Sequence, residues 1–435
     1  MKTLYPNDAV IGITAEYDPF HNGHALHVAR ARAHLAEEGR KHVPVVAVLS
    51  SSFTQRGLPA LVDKWTRARM ALAGGVDLVL ELPFAWACNA GPDFAKGAVD
   101  ILAAARFVTH LSFGVEDLPL PHETKNPISA LHMAVDILIH ESHAFKLNLR
   151  KALGSGVSYP KAVALALERE SPGLGAFVSA PNNSLALSYL LRVREKNYGL
   201  VPLPIRREGV GHRDENVRPP FASGTAIRAA LAAFSPKAWG RLWLVMPESS
   251  LTLLREEEGR GRLCVGATSL LWPLLRGLLV RSGPEPLREC AGMDEGLENL
   301  FSRHCLDADS YDDFIGRCVC ARYTRNRLQR QITRCLAGLS RAVNAALSQA
   351  PPPYIRVLGF NERGRALLRA RRKDPEAVTP VITRLAAAGG QIANLAAELE
   401  FRASRLRELL LPCPDLRYEE KQKPLKALSR WEANV

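Results

Sequence analysis

Two histidines near the start of the chain, His21 and His24, have the type and spacing to act on a phosphate. Imidazoles three residues apart in the first turn of a helix can reach the same anion. They could stabilise charge on an α-phosphate under attack and on a departing pyrophosphate. Gly23, which lies between them, has no side chain, so a nucleotide could lie against the backbone there. Two histidines in an ordinary surface turn are the alternative interpretation.

The elements on either side of this pair favour a nucleotide site. Residues from Val10 to Ala15 are apolar with small residues interleaved, which is typical of a buried parallel strand. Pro19 ends the strand pattern, and helical spacing resumes at Ala25. A strand-to-helix turn directs backbone N–H groups and the positive end of the helix dipole at one point, which suits a phosphate.

The segment around the histidines resembles a known family. It reads Glu16-Tyr17-Asp18-Pro19-Phe20-His21-Asn22-Gly23-His24 and is similar to the tRNA(Met) cytidine acetate ligases. These belong to the nucleotidyltransferase superfamily, whose Rossmann-like fold is shared with class I aminoacyl-tRNA synthetases. They mostly have asparagine in place of Asp18, and a carboxylate beside a triphosphate is unfavourable unless it faces magnesium or another cation. The resemblance implies that His21 and His24 are catalytic. It also implies that ATP is contacted by Thr14, Ala15, Glu16, Tyr17, Phe20, His21, Asn22, Gly23, His24 and His27.

Strand and helix patterns alternate through the first half of the chain. Predicted strands cover residues 43–49, 76–82, 109–114 and 201–205, and predicted helices cover 63–74, 94–107 and a segment from 127. This alternation indicates a parallel sheet with right-handed crossovers, in which ligands bind beyond the carboxyl ends of the strands. The histidine turn, the 50–57 loop and Gly114 all follow strands, so we expect them at that edge, with Gly114 at the nucleotide.

Three later segments predict further phosphate contacts. Asn182 and Asn183 open a helix, where capping is the plain role of asparagine, and they resemble a Pro-Asn-Asn motif that contacts the nucleotide in the acetate ligases. Arg206 and Arg207 end a strand, where bidentate donors could hold phosphate. The third segment, residues 223–228, begins a helix and resembles the triphosphate-binding motif of nucleotidyltransferases. Its predicted phosphate ligands are Ser223, Thr225 and Arg228, and a plain capped helix is the alternative.

The loop at 50–57 and the residues after it are also similar to the acetate ligases. Gln55, Arg56 and Lys64 could hold a carboxylate, a phosphate or tRNA, and a solvated basic loop is the alternative. We expect Arg56 and Lys64 to contact tRNA. Ser51 and Ser52 depart from the family pattern.

The second half of the chain is predicted to be helical and basic. Residues 314–361 contain eight arginines and no Asp or Glu. On a helical wheel, four of these arginines lie within about 60° of one another, opposite an apolar face. Residues 323–330 and 354–360 again resemble the acetate ligases. A stripe of one charge without acids favours a phosphate backbone over a plain solvated face. The predicted tRNA contacts here are Arg325, Arg327, Arg330, Arg334 and Arg341.

Composition agrees with a folded protein that has a polyanionic partner. The chain has 435 residues, a net charge of +13, 47% hydrophobic residues and eight cysteines. Scattered cysteines without C-x-x-C pairs are typical of core thiols in a reducing compartment. No apolar run is long enough to cross a bilayer, and no signal peptide is recognisable. We therefore expect a cytoplasmic protein without membrane contact.

These patterns predict an α/β fold. A Rossmann-like, parallel-sheet nucleotidyltransferase domain would cover residues 1–240, and a mainly α-helical, basic, tRNA-binding region would cover 241–435. The resemblance implies ATP, acetate and elongator tRNA(Met) as substrates. Magnesium would be held mainly by ATP, since the sequence shows no recognisable set of carboxylate ligands. An adenylyltransferase of the same fold that acts on a small metabolite, and a non-catalytic RNA-binding protein, are the alternatives. The oligomeric state is left open.

Overall fold

The computed structural model describes residues 9–40, 42–116, 118–121, 123–207, 219–232 and 236–427. At the centre of this described part lies one sheet with the strand order β5-β4-β1-β2-β3-β6-β7, and β8 pairs with β6. The strands are β1 Ile11–Ala15, β2 Val45–Ser50, β3 Leu78–Leu82, β4 His110–Val115, β5 Val201–Arg206, β6 Ile355–Phe360, β7 Val381–Ile382 and β8 Leu425–Lys426.

Helices flank this sheet and fill most of the rest of the described chain. In the first half they are α1 Asn22–Glu37, α2 Lys64–Ala73, α3 Phe84–Ala87, α4 Gly91–Ala104, α5 Pro127–His140, α6 His143–Gly154, α7 Tyr159–Glu170, α8 Leu174–Ser179, α9 Pro181–Glu195, α10 Gly224–Ala232 and α11 Pro236–Leu242. In the second half they are α12 Glu248–Gly259, α13 Thr268–Ser282, α14 Pro284–Leu287, α15 Leu297–Asp307, α16 Tyr311–Cys318, α17 Arg325–Leu336, α18 Arg341–Gln349, α19 Glu362–Arg371, α20 Gln391–Glu408 and α21 Tyr418–Lys421, with a short 3-10 helix at Leu385–Ala387.

The five predicted strands of the first half form the parallel part of the sheet. β1 lies between β2 and β4, β3 pairs with β2, and β5 pairs with β4, all in parallel. Strands such as β2 are buried throughout because helices cover both faces of the sheet. The carboxyl ends of these strands therefore meet at one edge, and the histidine turn after β1 lies there. The predicted fold class is confirmed.

The second half of the chain contributes a strand to the same sheet. β6 pairs antiparallel with β3, with Leu78 opposite Phe360 and Leu80 opposite Val357. Its residues are almost all buried. The sheet thus takes strands from both sides of the predicted boundary at residue 240, and the division into two domains stays a prediction.

A buried ionic cluster joins the two halves behind the sheet. It consists of Lys64 and Glu81 from the first half and Arg356, Glu400 and Glu419 from the second. The Lys64 ammonium lies 2.8 Å from one Glu400 oxygen and 3.2 Å from a Glu419 oxygen, and it also pairs with Glu81. The Arg356 guanidinium bridges Glu81 and Glu419. Three carboxylates thus surround two cations with almost no solvent contact.

In the described part of the chain, no helix is long and apolar enough to cross a membrane.

Candidate active site

The two histidines cap the first helix after β1. His21 is the residue before α1, and its Nδ1 accepts a hydrogen bond from the Gly23 N–H at 3.1 Å. The His24 Nδ1 in turn accepts from the His21 N–H at 3.3 Å. Because both Nδ1 atoms accept, the ring proton of each neutral imidazole lies on Nε2, which is then the atom that can donate to a phosphate oxygen. The two rings stack at 3.7 Å between centroids, as expected for a pair that acts on one anion.

The residues next to the histidines support the turn. Asn22 donates its main-chain N–H to Val245 O and its side-chain amide to the carbonyls of Pro220 and Leu244. It therefore ties the segments before α10 and after α11 to the mouth of α1. Its visible role is structural.

The aromatic residues of the motif lie beneath the turn. Phe20 is fully buried, and a Cβ added at Gly74 would meet its ring at 2.4 Å. Tyr17 is buried too, with its ring 4.8 Å from both Phe20 and His24. The core of the protein surrounds the Phe20 ring, and the contact of this residue with ATP stays a prediction. Tyr17 acts by supporting His24.

The end of β1 supplies polar groups at the same edge. The Thr14 hydroxyl donates to the hydroxyl of Tyr189 on α9, and Ala15 is buried in the strand. Burial raises the pKa of Glu16, although its carboxylate accepts the main-chain N–H of Gln55. Tyr189 was not predicted from the sequence, since nothing in α9 marks this tyrosine as a partner of a strand 175 residues away.

His27 lies one turn further along α1 and faces β4. Its Nε2 is 2.9 Å from the Ser112 hydroxyl. Burial, together with the nearby Arg207 charge, lowers the pKa of His27 to about 4, so this imidazole is neutral at pH 7. The backbone at Gly114 allows Arg207 to pass closely, because a Cβ there would meet the Arg207 side chain at 3.1 Å. Gly114 thus serves the site through Arg207.

Arg207 is held by a polar chain from β4 to α9. Its Nη1 donates to Asn182 Oδ1 at 2.9 Å, and the Asn182 amide donates to Glu116 at 2.6 Å. Asn183 is fully buried, where it accepts from the Glu116 N–H and donates to Phe177 O. Both ends of its amide are thus used inside the protein, and its contact with the nucleotide stays a prediction. Glu116 is a partner that the sequence did not reveal.

Arg206 and Arg207 do not act on the same side. Successive residues of a strand point to opposite faces. Arg206 ends β5 with its side chain exposed, and its carbonyl lies 3.5 Å from the Arg30 guanidinium. Arg207 is the arginine that faces the polar chain at the carboxyl edge.

The helix α10 begins against the histidine turn. Arg228 Nη1 donates to Asp18 O at 2.7 Å and to the Asp18 carboxylate at 2.8 Å. A Cβ at Gly224 would lie 2.7 Å from Asp18 O, so only glycine allows this approach. The Thr225 hydroxyl accepts from Arg228 at 3.3 Å. The two predicted phosphate motifs thus share one site, and the Asp18 carboxylate faces a cation.

Ser223 has the helix-capping role that the sequence analysis gave as the alternative. It is buried, and its hydroxyl accepts from the Ala226 N–H at 3.0 Å. It therefore caps α10, and its contact with the nucleotide stays a prediction.

Lys64 belongs to the buried ionic cluster and is only 1% exposed. Burial alone would lower the pKa of Lys64, but its three carboxylate neighbours raise that pKa above its usual value. The prediction that Lys64 contacts tRNA is wrong because its ammonium is enclosed and fully paired. Arg56, in the loop before it, is half-buried, and its charge acts on Glu16.

The predicted arginine stripe is divided between two helices. α17 ends at Leu336, and Gly338 follows with a φ of +71°, so Arg341 begins the separate helix α18. Arg334 is 8% exposed. Its Nη2 donates to Asn344 Oδ1 at 2.9 Å. Arg334 is therefore directed inward, and the predicted outward stripe is wrong.

Acidic residues from neighbouring segments balance most of these arginines. Arg325 pairs with Asp312, Arg327 with Glu295 at 3.3 Å, and Arg341 with Asp294. The argument from missing acids is wrong, because the acids come from outside residues 314–361. Arg325 and Arg327 remain at the surface, where such pairs are weak and a phosphate can compete for them.

Comparison with known proteins agrees with this geometry. The profile of the HIGH Nucleotidyl Transferase family matches residues 9–423. Proteins named tRNA(Met) cytidine acetate ligase are similar along most of their length. The one from Lysinibacillus sphaericus is 36% identical over 382 residues, which cover 87% of this chain and 90% of that protein. The one from Caldicellulosiruptor saccharolyticus is 36% identical over 402 residues, with 92% and 93% covered.

Solved structures lead to the same family. Apo Thermotoga maritima TmcAL superposes with a TM-score of 0.86 at 28% identity, covering 96% of this chain and all of the other. TmcAL bound with alpha-thio ATP gives a TM-score of 0.84 at 27% identity, again over 96% of this chain. The chain belongs to the HIGH nucleotidyl transferase family and, within it, to the tRNA(Met) cytidine acetate ligases.

Proposed function

We propose that this chain joins acetate to a tRNA cytidine in two steps that consume ATP. Acetate attacks the α-phosphate of ATP, which gives acetyl-adenylate and pyrophosphate. The N4 amine of the wobble cytidine of elongator tRNA(Met) then takes the acetyl group, which gives N4-acetylcytidine and AMP. The name of the similar ligases supports the acid and the tRNA, and the ATP analogue on TmcAL supports the nucleotide.

The contact between Arg228 and Asp18 is the observation that carries this proposal. It brings the start of α10 onto the turn that contains His21 and His24. An anion at the mouth of α1 would therefore meet two imidazoles, a helix N-terminus and an arginine from a segment about 200 residues later. A surface turn or a plain capped helix would require no such meeting.

Each group has a definite role in adenylation. His21 and His24 donate Nε2–H bonds that stabilise charge on the α-phosphate and on the leaving pyrophosphate. Arg207 and Arg228 hold phosphate oxygens. Glycine at position 23 keeps the backbone open to the nucleotide.

Magnesium would reach this site together with ATP. Among the described residues, no group of three or more His, Cys, Asp and Glu side chains could hold a metal ion. The nearby donors, Glu16 and Asp18, are already engaged with Gln55 and Arg228. A magnesium ion at this site would therefore take most of its ligands from phosphate oxygens and water.

The tRNA would approach across Arg56, Arg325 and Arg327. Arg325 and Arg327 are surface residues near the start of α17, which packs against the loop that carries Arg56. A phosphate backbone would replace their weak surface ion pairs.

Acetate-dependent exchange of pyrophosphate into ATP tests the first step. The wild-type protein should catalyse exchange only when acetate is present, and His21→Ala should abolish exchange while tRNA affinity changes by less than about threefold. His34→Ala is the matched control, because His34 lies on the same helix with its side chain exposed. Loss of tRNA binding with normal exchange in His21→Ala would refute the assignment.

The same assay separates the alternatives. Exchange that requires a different substrate would indicate an adenylyltransferase of small metabolites. Absence of exchange, with tRNA still bound, would indicate a non-catalytic RNA-binding protein. The cytoplasmic location stays a prediction.

A further inference from the structure

Two buried arginines of α17 lack acidic partners. Arg334 is 8% exposed and Arg330 is half-buried, yet neither forms an ion pair within 4.0 Å with any described residue. Among the described residues, the Arg334 guanidinium donates to the amide oxygens of Asn344 at 2.9 Å and Asn89 at 3.5 Å, and its buried Nε has no hydrogen-bond partner there. Arg330 donates to Gln55 O at 3.4 Å. Burial lowers the pKa of both guanidinium groups, and the charges of Arg334 and Arg327 lower that of Arg330 further.

Two other buried arginines, Arg67 and Arg356, have more hydrogen-bond acceptors than this pair, although Arg67 likewise has no ion pair within 4.0 Å among the described residues. Arg356 pairs with the carboxylates of Glu81 and Glu419. Arg67 donates to the carbonyls of Glu16 and Ser50 and to further oxygens beside them. An uncompensated buried charge costs several kcal/mol. The pair formed by Arg330 and Arg334 therefore suits an anion that arrives as a ligand.

The pair lies next to the nucleotide site. Gln55 accepts from Arg330 through its carbonyl and donates its main-chain N–H to the carboxylate of Glu16, the residue after β1. Gln55 therefore links Arg330 to the residue that follows β1, the strand that ends at the histidine turn. The Gln55 side-chain amide also lies near the start of α4, 4.0 Å from where a Cβ at Gly91 would be.

The acidic groups around Arg330 and Arg334 do not neutralise the two guanidinium charges by direct pairing. Asp93 acts on both arginines from the first turn of α4, but it does not come within 4.0 Å of either guanidinium. Asp294 acts on Arg334 as well, but it pairs with Arg341. The Cys88 thiol is neutral, because burial raises its pKa to about 12.

We propose that Arg330 and Arg334, with the side-chain amide of Gln55, bind the carboxylate of the acid that is adenylated. This inference rests on the proposed function. The ligand class is a short aliphatic monocarboxylate, because Arg334 is too little exposed to contact the backbone of an RNA strand. Two guanidinium groups also offset the repulsion between this carboxylate and the triphosphate.

The chemical step balances without a further reactant. The acid enters as an anion, and one carboxylate oxygen forms a bond to the α-phosphorus of ATP. The bond from that phosphorus to the bridging oxygen of pyrophosphate breaks, and pyrophosphate leaves with the electron pair. No proton is transferred in this step.

The test measures acetate-dependent pyrophosphate exchange in Arg330→Gln and Arg334→Gln. Each change removes a charge-assisted contact, so the KM for acetate should rise at least about tenfold while the KM for ATP changes by less than about threefold. Arg334→Lys should recover part of the loss. Formate and propionate should show the same factor as acetate, since all three present the same carboxylate. Arg317→Gln is the control, because Arg317 is exposed on α16 and pairs with Asp313.

Thermal unfolding gives a second readout that needs no turnover. Acetate, compared with chloride at equal ionic strength, should raise the Tm of the wild type and not that of Arg330→Gln. An unchanged KM for acetate in folded variants would overturn the inference, and so would a rise confined to the KM for tRNA, which would indicate a phosphate ligand. If the wild type shows no acetate-dependent exchange at all, the proposed function itself fails.

Discussion

Replacing Lys64 by methionine tests whether the buried ionic cluster depends on its central cation. The wild-type cluster sets three carboxylates against two cations, and Lys64→Met leaves Arg356 alone with Glu81, Glu400 and Glu419. Removing one partner of a buried ion pair typically costs about 3–5 kcal/mol. At about 2 °C for each kcal/mol, the Tm should fall by roughly 6–10 °C.

The cost should also depend on pH. Burial, with the neighbouring carboxylates, raises the pKa of Glu400 to about 7 in the folded protein. The folded state therefore binds this proton more tightly than the unfolded chain, so this group's stabilisation is complete below about pH 4.5 and is lost as the pH rises to 7. Burial opposes ionisation of Glu419, but Lys64 and Arg356 lower its pKa to about 2, so its contribution is lost only as the pH falls from about 4.5 to 2.

Without the ammonium, the pKa of Glu400 should rise further. A proton can then replace part of the missing charge at low pH. The destabilisation should therefore be about 1–2 kcal/mol smaller at pH 5.5 than at pH 8. The double variant Lys64→Met with Glu400→Gln removes one charge of each sign and should recover at least half of the loss at pH 8.

Urea unfolding followed by tryptophan fluorescence at both pH values measures these differences. Lys146→Met is the matched control, because Lys146 is a surface residue with an ion pair of 3.7 Å and should change stability by less than about 1 kcal/mol. A loss for Lys64→Met as small as that of the control would refute the reasoning. A stable Lys64→Met that no longer binds tRNA would show that Lys64 acts at the surface after all.

Three further predictions concern the site and its support. Gly57→Ala should cost several kcal/mol, because φ is +80° and a Cβ would lie 2.4 Å from the backbone of α17, whereas Gly39→Ala, with φ of +83° and open space, should cost only about 1 kcal/mol in the same urea assay. Asp18→Asn should lower the KM for ATP several-fold in pyrophosphate exchange, because it frees Arg228 from a carboxylate at 2.8 Å that competes with phosphate; a higher KM would contradict this. His27→Gln should flatten the loss of stability on acidification, since His27 is neutral with a pKa of about 4 and its stabilisation is lost as the pH falls from about 6.5 through 4; an unchanged acid limb would contradict this.

The parallel part of the sheet and the core of the site were predictable because their signals are local. Each of the five first strands is a short apolar run, and the turn at His21 follows the first of them directly. The order of the segments then placed His21 and Arg228 at one edge, since ligand sites of parallel sheets gather there. The carboxylate of Asp18 indicated that a cation would face it, but it did not identify that cation as Arg228.

Long-range pairings were not predictable from one sequence. A wheel drawn through residues 327–341 assumes one continuous helix, but Gly338 ends α17 and turns the chain. The acids that pair with Arg325 and Arg327 precede the helix, so the arginines looked unpartnered. Lys64 follows a basic loop in the sequence, and nothing nearby indicated that Glu400 would enclose it.

The place of β6 beside β3 makes the order of synthesis matter. Glu81 leaves the ribosome 275 residues before Arg356. At typical rates of about 5–20 residues per second, that interval lasts roughly 15–55 seconds. During this interval, β3 is an open edge with unsatisfied main-chain groups, and Lys64 lacks the counter-ions Glu400 and Glu419. The nascent chain is therefore most exposed to mispairing and chaperone capture just before its last fifth emerges.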